Sequence, residues 1–162
     1  MLEFENTIRI RRPMEEVFEF LRHFENMPKW NYFVVNVEKT SPGPTGIGTT
    51  YHQVRKTDEQ DFAIIELEPY RTLAIKTLPG SSPKLEMRFE LSPEGTGTLI
   101  RDFWKLDTGR PRILEKLAAG QVKSAVAENL EKLKVLLEQG SVVLQDGRQS
   151  RLEEGGQWIA EG

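Results

Sequence analysis

The hydrophobic period of this chain changes once, near residue 110, and that change limits what it can fold into. Beyond it, Leu114, Ala118, Val122, Val126, Leu130, Leu133 and Leu137 are spaced by fours and one three. Such spacing puts them on one helical stripe. Pro111 suits the helix start and Gly140 the C-terminal cap. A helix from Pro111 to Gln139 runs about 43 Å at 1.5 Å per residue. Only a large curved sheet can bury one face of so long a helix, and Val126, Leu130 and Leu133 are expected in that core.

Before residue 110 the period is two. Leu2, Phe4, Ile8 and Ile10 share one parity, while Glu3, Glu5, Thr7 and Arg9 share the other. This is a half-buried strand. Six more candidates follow: Phe33–Thr40, Thr49–Thr57, Gln60–Glu68, Thr72–Leu78, Lys84–Leu91 and Thr98–Leu106. Turn-forming stretches such as SPGPTGIG, PGSSP and SPEGTG separate them. Spacing this close predicts an antiparallel meander, so the class is α+β.

One short helical pattern interrupts the strands. Pro13 opens it, Glu15 and Glu16 favour its dipole, and Met14, Val17, Phe18 and Leu21 form its apolar stripe. Pro28 disfavours helical geometry at Met27, which breaks the helix near His23–Met27. A second short turn then carries Trp30.

A chain of 162 residues supports one sizeable core. Residues 1–140 are read as that domain and 141–162 as an extension. Within the extension, Asp146-Gly147 is a candidate hairpin turn. Trp158 and Ile159 stand out in a polar setting, either as part of a mobile tail or as a segment packing on its own surface or a partner. A homodimer through this extension is one expectation. The net charge of −3 offers no basic field for nucleic acid. Charges interrupt the N-terminal stretch where a signal peptide needs an apolar run, and no run is long enough to span a membrane. A soluble, cytoplasmic protein is expected. The chain has no cysteine, which excludes disulfides and thiolate chemistry.

Parity then sorts the polar residues. On the last strand Thr98, Ile100, Asp102, Trp104 and Leu106 oppose Leu99, Arg101, Phe103 and Lys105. The two basic residues mark the solvent face and turn Asp102 inward. A carboxylate there must be paired, hydrogen-bonded or shifted in pKa. It either serves a ligand as anchor or acid/base, or sits near the strand end with solvent or an arginine. Tyr51, Gln53 and Arg55 share a face of the third strand, opposite Thr50, His52 and Val54. His52 reads as a surface residue, with a general base as the alternative, and His23 as a solvated residue at the helix break. Leu85, Met87, Phe89 and Leu91 read as core or pocket wall. Gly120, beside Gln121, interrupts the helix; it marks a close approach or a bend beside the cavity, or is simply tolerated there.

The stretches IRIRRPMEEVFEFL, MPKWN, GIGTTYHQV, ELEPYRTLAIKT and GTGTLIRDFWKL occur in an order that resembles the START-like (SRPBCC) superfamily, in its polyketide cyclase/dehydrase and lipid transport branch. The resemblance covers residues 2–138. It implies a helix-grip fold: a curved seven-stranded antiparallel sheet wrapped on the long C-terminal helix, with two short helices after the first strand. It also implies an apolar pocket, with Tyr51 facing it and Trp30 pinning the elbow to the sheet. The expected ligand-binding residues are Tyr51, Gln53, Phe89, Asp102, Trp104, Leu114, Leu117 and Gln121.

The signatures of several chemistries are missing. GPTGIG lacks the lysine of a phosphate-binding loop, two isolated histidines do not make a zinc site, and G-x-S-x-G does not occur. The iron-ligand histidine pairs of the Rieske-type branch are also missing, so neither metal nor cofactor is expected. Two functions compete: carriage of a small hydrophobic molecule, lipid-like or polycyclic, and a cyclase or dehydratase acting on such a molecule. A partner-binding module is a third.

Overall fold

The computed structural model describes residues 1–152. β1 (Leu2–Ile10) leads into α1 (Met14–Arg22) and a 3-10 helix (Phe24–Lys29). Six strands follow: β2 (Val34–Lys39), β3 (Thr50–Arg55), β4 (Glu59–Glu68), β5 (Thr72–Thr77), β6 (Lys84–Glu94) and β7 (Gly97–Asp107). The long helix α2 (Arg112–Gln139) comes next. The seven strands form one antiparallel sheet in the order β1-β7-β6-β5-β4-β3-β2. This is the expected α+β helix-grip architecture.

That order explains the elbow. β1 and β2 are consecutive in sequence yet form opposite edges of the sheet, so the chain between them must cross from one edge to the other. Pro13, in extended geometry, starts α1, whose Val17, Phe18, Phe20 and Leu21 are buried. Pro28 lies inside the 3-10 helix. His23, expected in solvent, is instead buried at the junction, with Nε2 3.9 Å from the Glu19 carboxylate. His52 is a surface residue as expected, bridging Asp61 at 2.8 Å and Glu59 at 2.7 Å. Both carboxylates raise its pKa.

The β6–β7 hairpin is longer than its sequence suggests. Pro93 reads as a breaker, yet it pairs with Thr98, and Glu94 pairs with Gly97. Gly95 supplies the positive φ of the tight turn. Gly97 is required for a different reason: a Cβ there would lie 2.6 Å from the carbonyl oxygen of Ile10.

α2 divides into two parts. In its second half Val126, Leu130, Leu133, Leu136 and Leu137 are buried. In its first half Ile113 and Leu117 are 69% and 76% exposed. Gly120 shows no close approach, since a Cβ there would meet nothing within 4 Å. Gly140 ends the helix in the left-handed region and donates its N–H to the Leu136 carbonyl at 2.8 Å.

Beyond it, β8 (Ser141–Val143) and β9 (Gln149–Arg151) form a hairpin around Asp146-Gly147. Val142 and Leu144 join the main core, and Arg148 donates to the Pro28 carbonyl at 3.1 Å. Up to residue 152 the extension therefore packs on its own chain. Trp158 and Ile159 lie outside the described residues. Among the described residues, no helix is long and apolar enough to cross a membrane.

Candidate functional site

Between the sheet and the first half of α2 lies a cavity of about 350 Å³. The sheet side is built by inward-facing residues of all seven strands, among them Phe62, Ile75, Met87, Trp104 and Leu106. The elbow contributes Met27 and Trp30, and α2 contributes Leu114, Ala118, Val122 and Val126. Phe33, Arg110 and Leu114 are both wall and exposed surface, so they mark where the cavity meets solvent.

Four of the eight expected ligand-binding residues line this space: Gln53, Asp102, Trp104 and Leu114. The other four do not. Tyr51 is wholly buried among aromatic rings, stacked on Phe62 with centroids 5.2 Å apart and edge-on to Phe24 at 5.5 Å. The elbow thus fills the space above it, and burial pushes its phenol up to about 12. Phe89 is core, with its centroid 6.5 Å from that of Trp30. Leu117 and Gln121 are missing from the wall because of helix phase. At 100° per residue, Leu117 lies about 120° and Gln121 about 80° from the centre of the arc spanning Leu114 to Val126.

Asp102 turns inward as parity requires and is 1% exposed. Its Oδ2 accepts a hydrogen bond from Trp104 Nε1 at 3.0 Å. Its Oδ1 is buried with no hydrogen-bond partner among the described residues. Removal from water raises its pKa well above the ordinary carboxylate value, and the single bond from Trp104 only partly opposes this. Trp104 in turn stacks on Phe4, with centroids 5.6 Å apart.

A second carboxylate on the wall is tuned the opposite way. Glu115 Oε1 lies 2.6 Å from the Met1 amino group, and Oε2 accepts from the Thr108 N–H and hydroxyl, both at 2.9 Å. These bonds hold its pKa down at about 2.

The remaining buried polar groups on the wall bond to one another. Gln53 Nε2 donates to Gln60 at 3.3 Å, and Gln60 donates to the Pro83 carbonyl at 3.0 Å. Asn129 donates to Asn31 at 3.2 Å and accepts from Gln145 of the β8–β9 hairpin at 3.2 Å. Gln60, Asn129 and Glu115 escape the sequence reading although signals existed for two of them. Gln60 shares the parity of Phe62 and Ile64, and Asn129 is a polar residue set in an apolar stripe. No local pattern marks Glu115. Among the described residues, no group of three histidine, aspartate or glutamate side chains could hold a metal ion.

A sheet gripping a long helix over an internal cavity defines a START-like protein. Residues 1–138 match the family model described as polyketide cyclase / dehydrase and lipid transport, and the chain belongs to that family. No curated protein matches the chain. Among solved structures, it is similar to a START superfamily protein from Mycobacterium smegmatis, with 16% identity, a TM-score of 0.69, and coverage of 85% of this chain and 99% of that one. A protein of Thermus thermophilus aligns at 20% identity and TM-score 0.64, covering 85% and 94%. The di-domain ARO/CYC BexL from the BE-7585A biosynthetic pathway aligns at 14% and 0.65, covering 86% of this chain and 48% of that one. At these identities the likeness is one of fold.

Proposed function

We propose that the protein binds a small hydrophobic molecule, lipid-like or polycyclic, in the cavity beneath α2. The observation that carries this reading is the cavity itself. Its volume of about 350 Å³ falls within the range of small-molecule sites, and its walls are mainly aliphatic and aromatic. Asp102, Trp104, Gln53 and Leu114 are the proposed contacts among those expected from sequence. The test is binding of an environment-sensitive naphthalene dye and its displacement by a fatty acid or a flat polycycle. Trp104→Ala is expected to weaken dye binding several-fold. Absent binding, or indifference to that substitution, would overturn the reading. Native mass spectrometry of the purified protein would show directly whether a ligand accompanies it.

A second reading, cyclase or dehydratase chemistry, draws support from the two wall carboxylates. Burial pushes one towards its neutral form and hydrogen bonds keep the other ionised, the kind of divergence from which acid and base roles are made. Turnover of a polyketide-like substrate, abolished by Asp102→Asn while dye binding persists, would establish it. The binding unit is proposed to be residues 1–140, acting in the cytoplasm. A homodimer through residues 141–162 would show in light scattering of the full chain, and the mass of one protomer would remove it.

A further inference from the structure

Two buried polar side-chain atoms on the cavity wall lack a hydrogen-bond partner among the described residues: Arg55 Nε and Asp102 Oδ1. Arg55 Nε has an ion-pair partner, Asp58 Oδ1, at 3.4 Å. Asp102 Oδ1 has none. Leaving such an atom unpaired costs free energy that a bound group recovers on supplying the bond.

The surroundings fix what that group must be. Oδ2 is already an acceptor, for the Trp104 N–H. The residues facing Asp102 across the sheet are Asn6 on β1 and Phe89 on β6, and its same-face neighbours on β7 are Ile100 and Trp104. None of these is charged, and Asn6 donates to the Lys123 carbonyl at 3.1 Å. From α2 the wall presents Glu115 and otherwise uncharged residues, among them Val122, Ala125, Val126 and Asn129. The charged wall residues are Arg55, Arg110 and Glu115. Arg55 pairs with Asp58, Arg110 is at the exposed rim, and Glu115 is bonded to Met1 and Thr108. A carboxyl among neutral, mostly apolar groups keeps its proton. With Oδ2 accepting, that proton belongs on Oδ1, which then donates.

Resting on the cavity-binding reading, we propose that the ligand is uncharged and presents a hydrogen-bond-accepting oxygen, that of a ketone, quinone or ester carbonyl, to Asp102. Trp104, whose indole N–H holds Oδ2, is half-buried and forms part of the same wall.

Three naphthalenes of nearly equal shape test this by competition with the dye: 2-acetylnaphthalene, 2-isopropenylnaphthalene and 1-(2-naphthyl)ethylamine. The ketone is expected to bind the native protein about tenfold tighter than the isopropenyl compound, equivalent to about 1.4 kcal/mol, and tighter than the amine. The ketone preference should fade as rising pH ionises Asp102. Asp102→Asn should keep the preference and lose its pH dependence, because the amide oxygen can accept from Trp104 while its N–H donates. Asp102→Val should bind ketone and hydrocarbon alike. Should that variant fail to fold, the native protein and Asp102→Asn still decide the matter. Tightest binding of the amine, or ketone and hydrocarbon binding the native protein within twofold, overturns the proposal and leaves the cavity reading standing. If the dye itself does not bind, the cavity reading fails first.

Discussion

Asp102 contributes unusually to stability. Its pKa in the folded chain is raised well above the ordinary 3.8. Between those two values the unfolded chain has released the proton and the folded chain has kept it. Stability therefore falls as pH rises above about 4 and levels off above the folded-state pKa. Asp102→Asn removes this burden: it should raise the melting temperature at neutral pH, with the gain shrinking towards pH 4. Melting curves of both proteins across that range check the sign. The inward turn of Asp102 was legible because Arg101 and Lys105 identify the opposite face. The fate of Tyr51 was not. Its parity is inward too, but whether an inward residue meets a cavity or a packed ring depends on Phe24, which the elbow delivers from a distant part of the sequence.

At the scale of elements, two glycines that look alike in sequence behave oppositely. Gly97 begins β7 where the Ile10 carbonyl leaves no room for a Cβ. Gly97→Ala should destabilise the fold by about 1–3 kcal/mol, the usual cost of overpacking. Gly120 sits exposed within α2 with open space around its Cα. Gly120→Ala should stabilise by up to about 1 kcal/mol, through helix propensity alone. Urea denaturation of the two variants reads both signs. Strands and helices were legible from their periods, since one face of each is buried. The hairpin end was not: Pro93 argues against a strand locally, yet it sits at an exposed hairpin end where the missing N–H matters little. Helix phase was legible from the stripe, and Leu117 and Gln121 were placed on the wall against it.

For the whole molecule, sheet order was not legible from the period of two, because a meander does not reveal which edge the first strand joins. Pairing β1 with β7 places the two ends of the elbow at opposite edges, and the cavity lies between the sheet and the first half of α2. The cavity contents depend on side-chain chemistry that the family does not prescribe, so the fold was readable while the ligand was not.

The uneven burial of α2 has a mechanical consequence. The helix resembles a beam clamped at one end: Leu130 to Leu137 are held in the core, while the stretch near Leu114 to Val122 spans an opening. Free energy of opening should therefore grade along a single helix. Backbone amides around Leu117–Lys123 should exchange with deuterium through local fluctuations, far faster than those of Leu133–Leu137, which wait for global unfolding. A molecule filling the cavity should slow exchange in the free end and leave the clamped end unchanged. On the proposed binding reading, a ligand would then enter by the bending of one helix, without the parting of two domains.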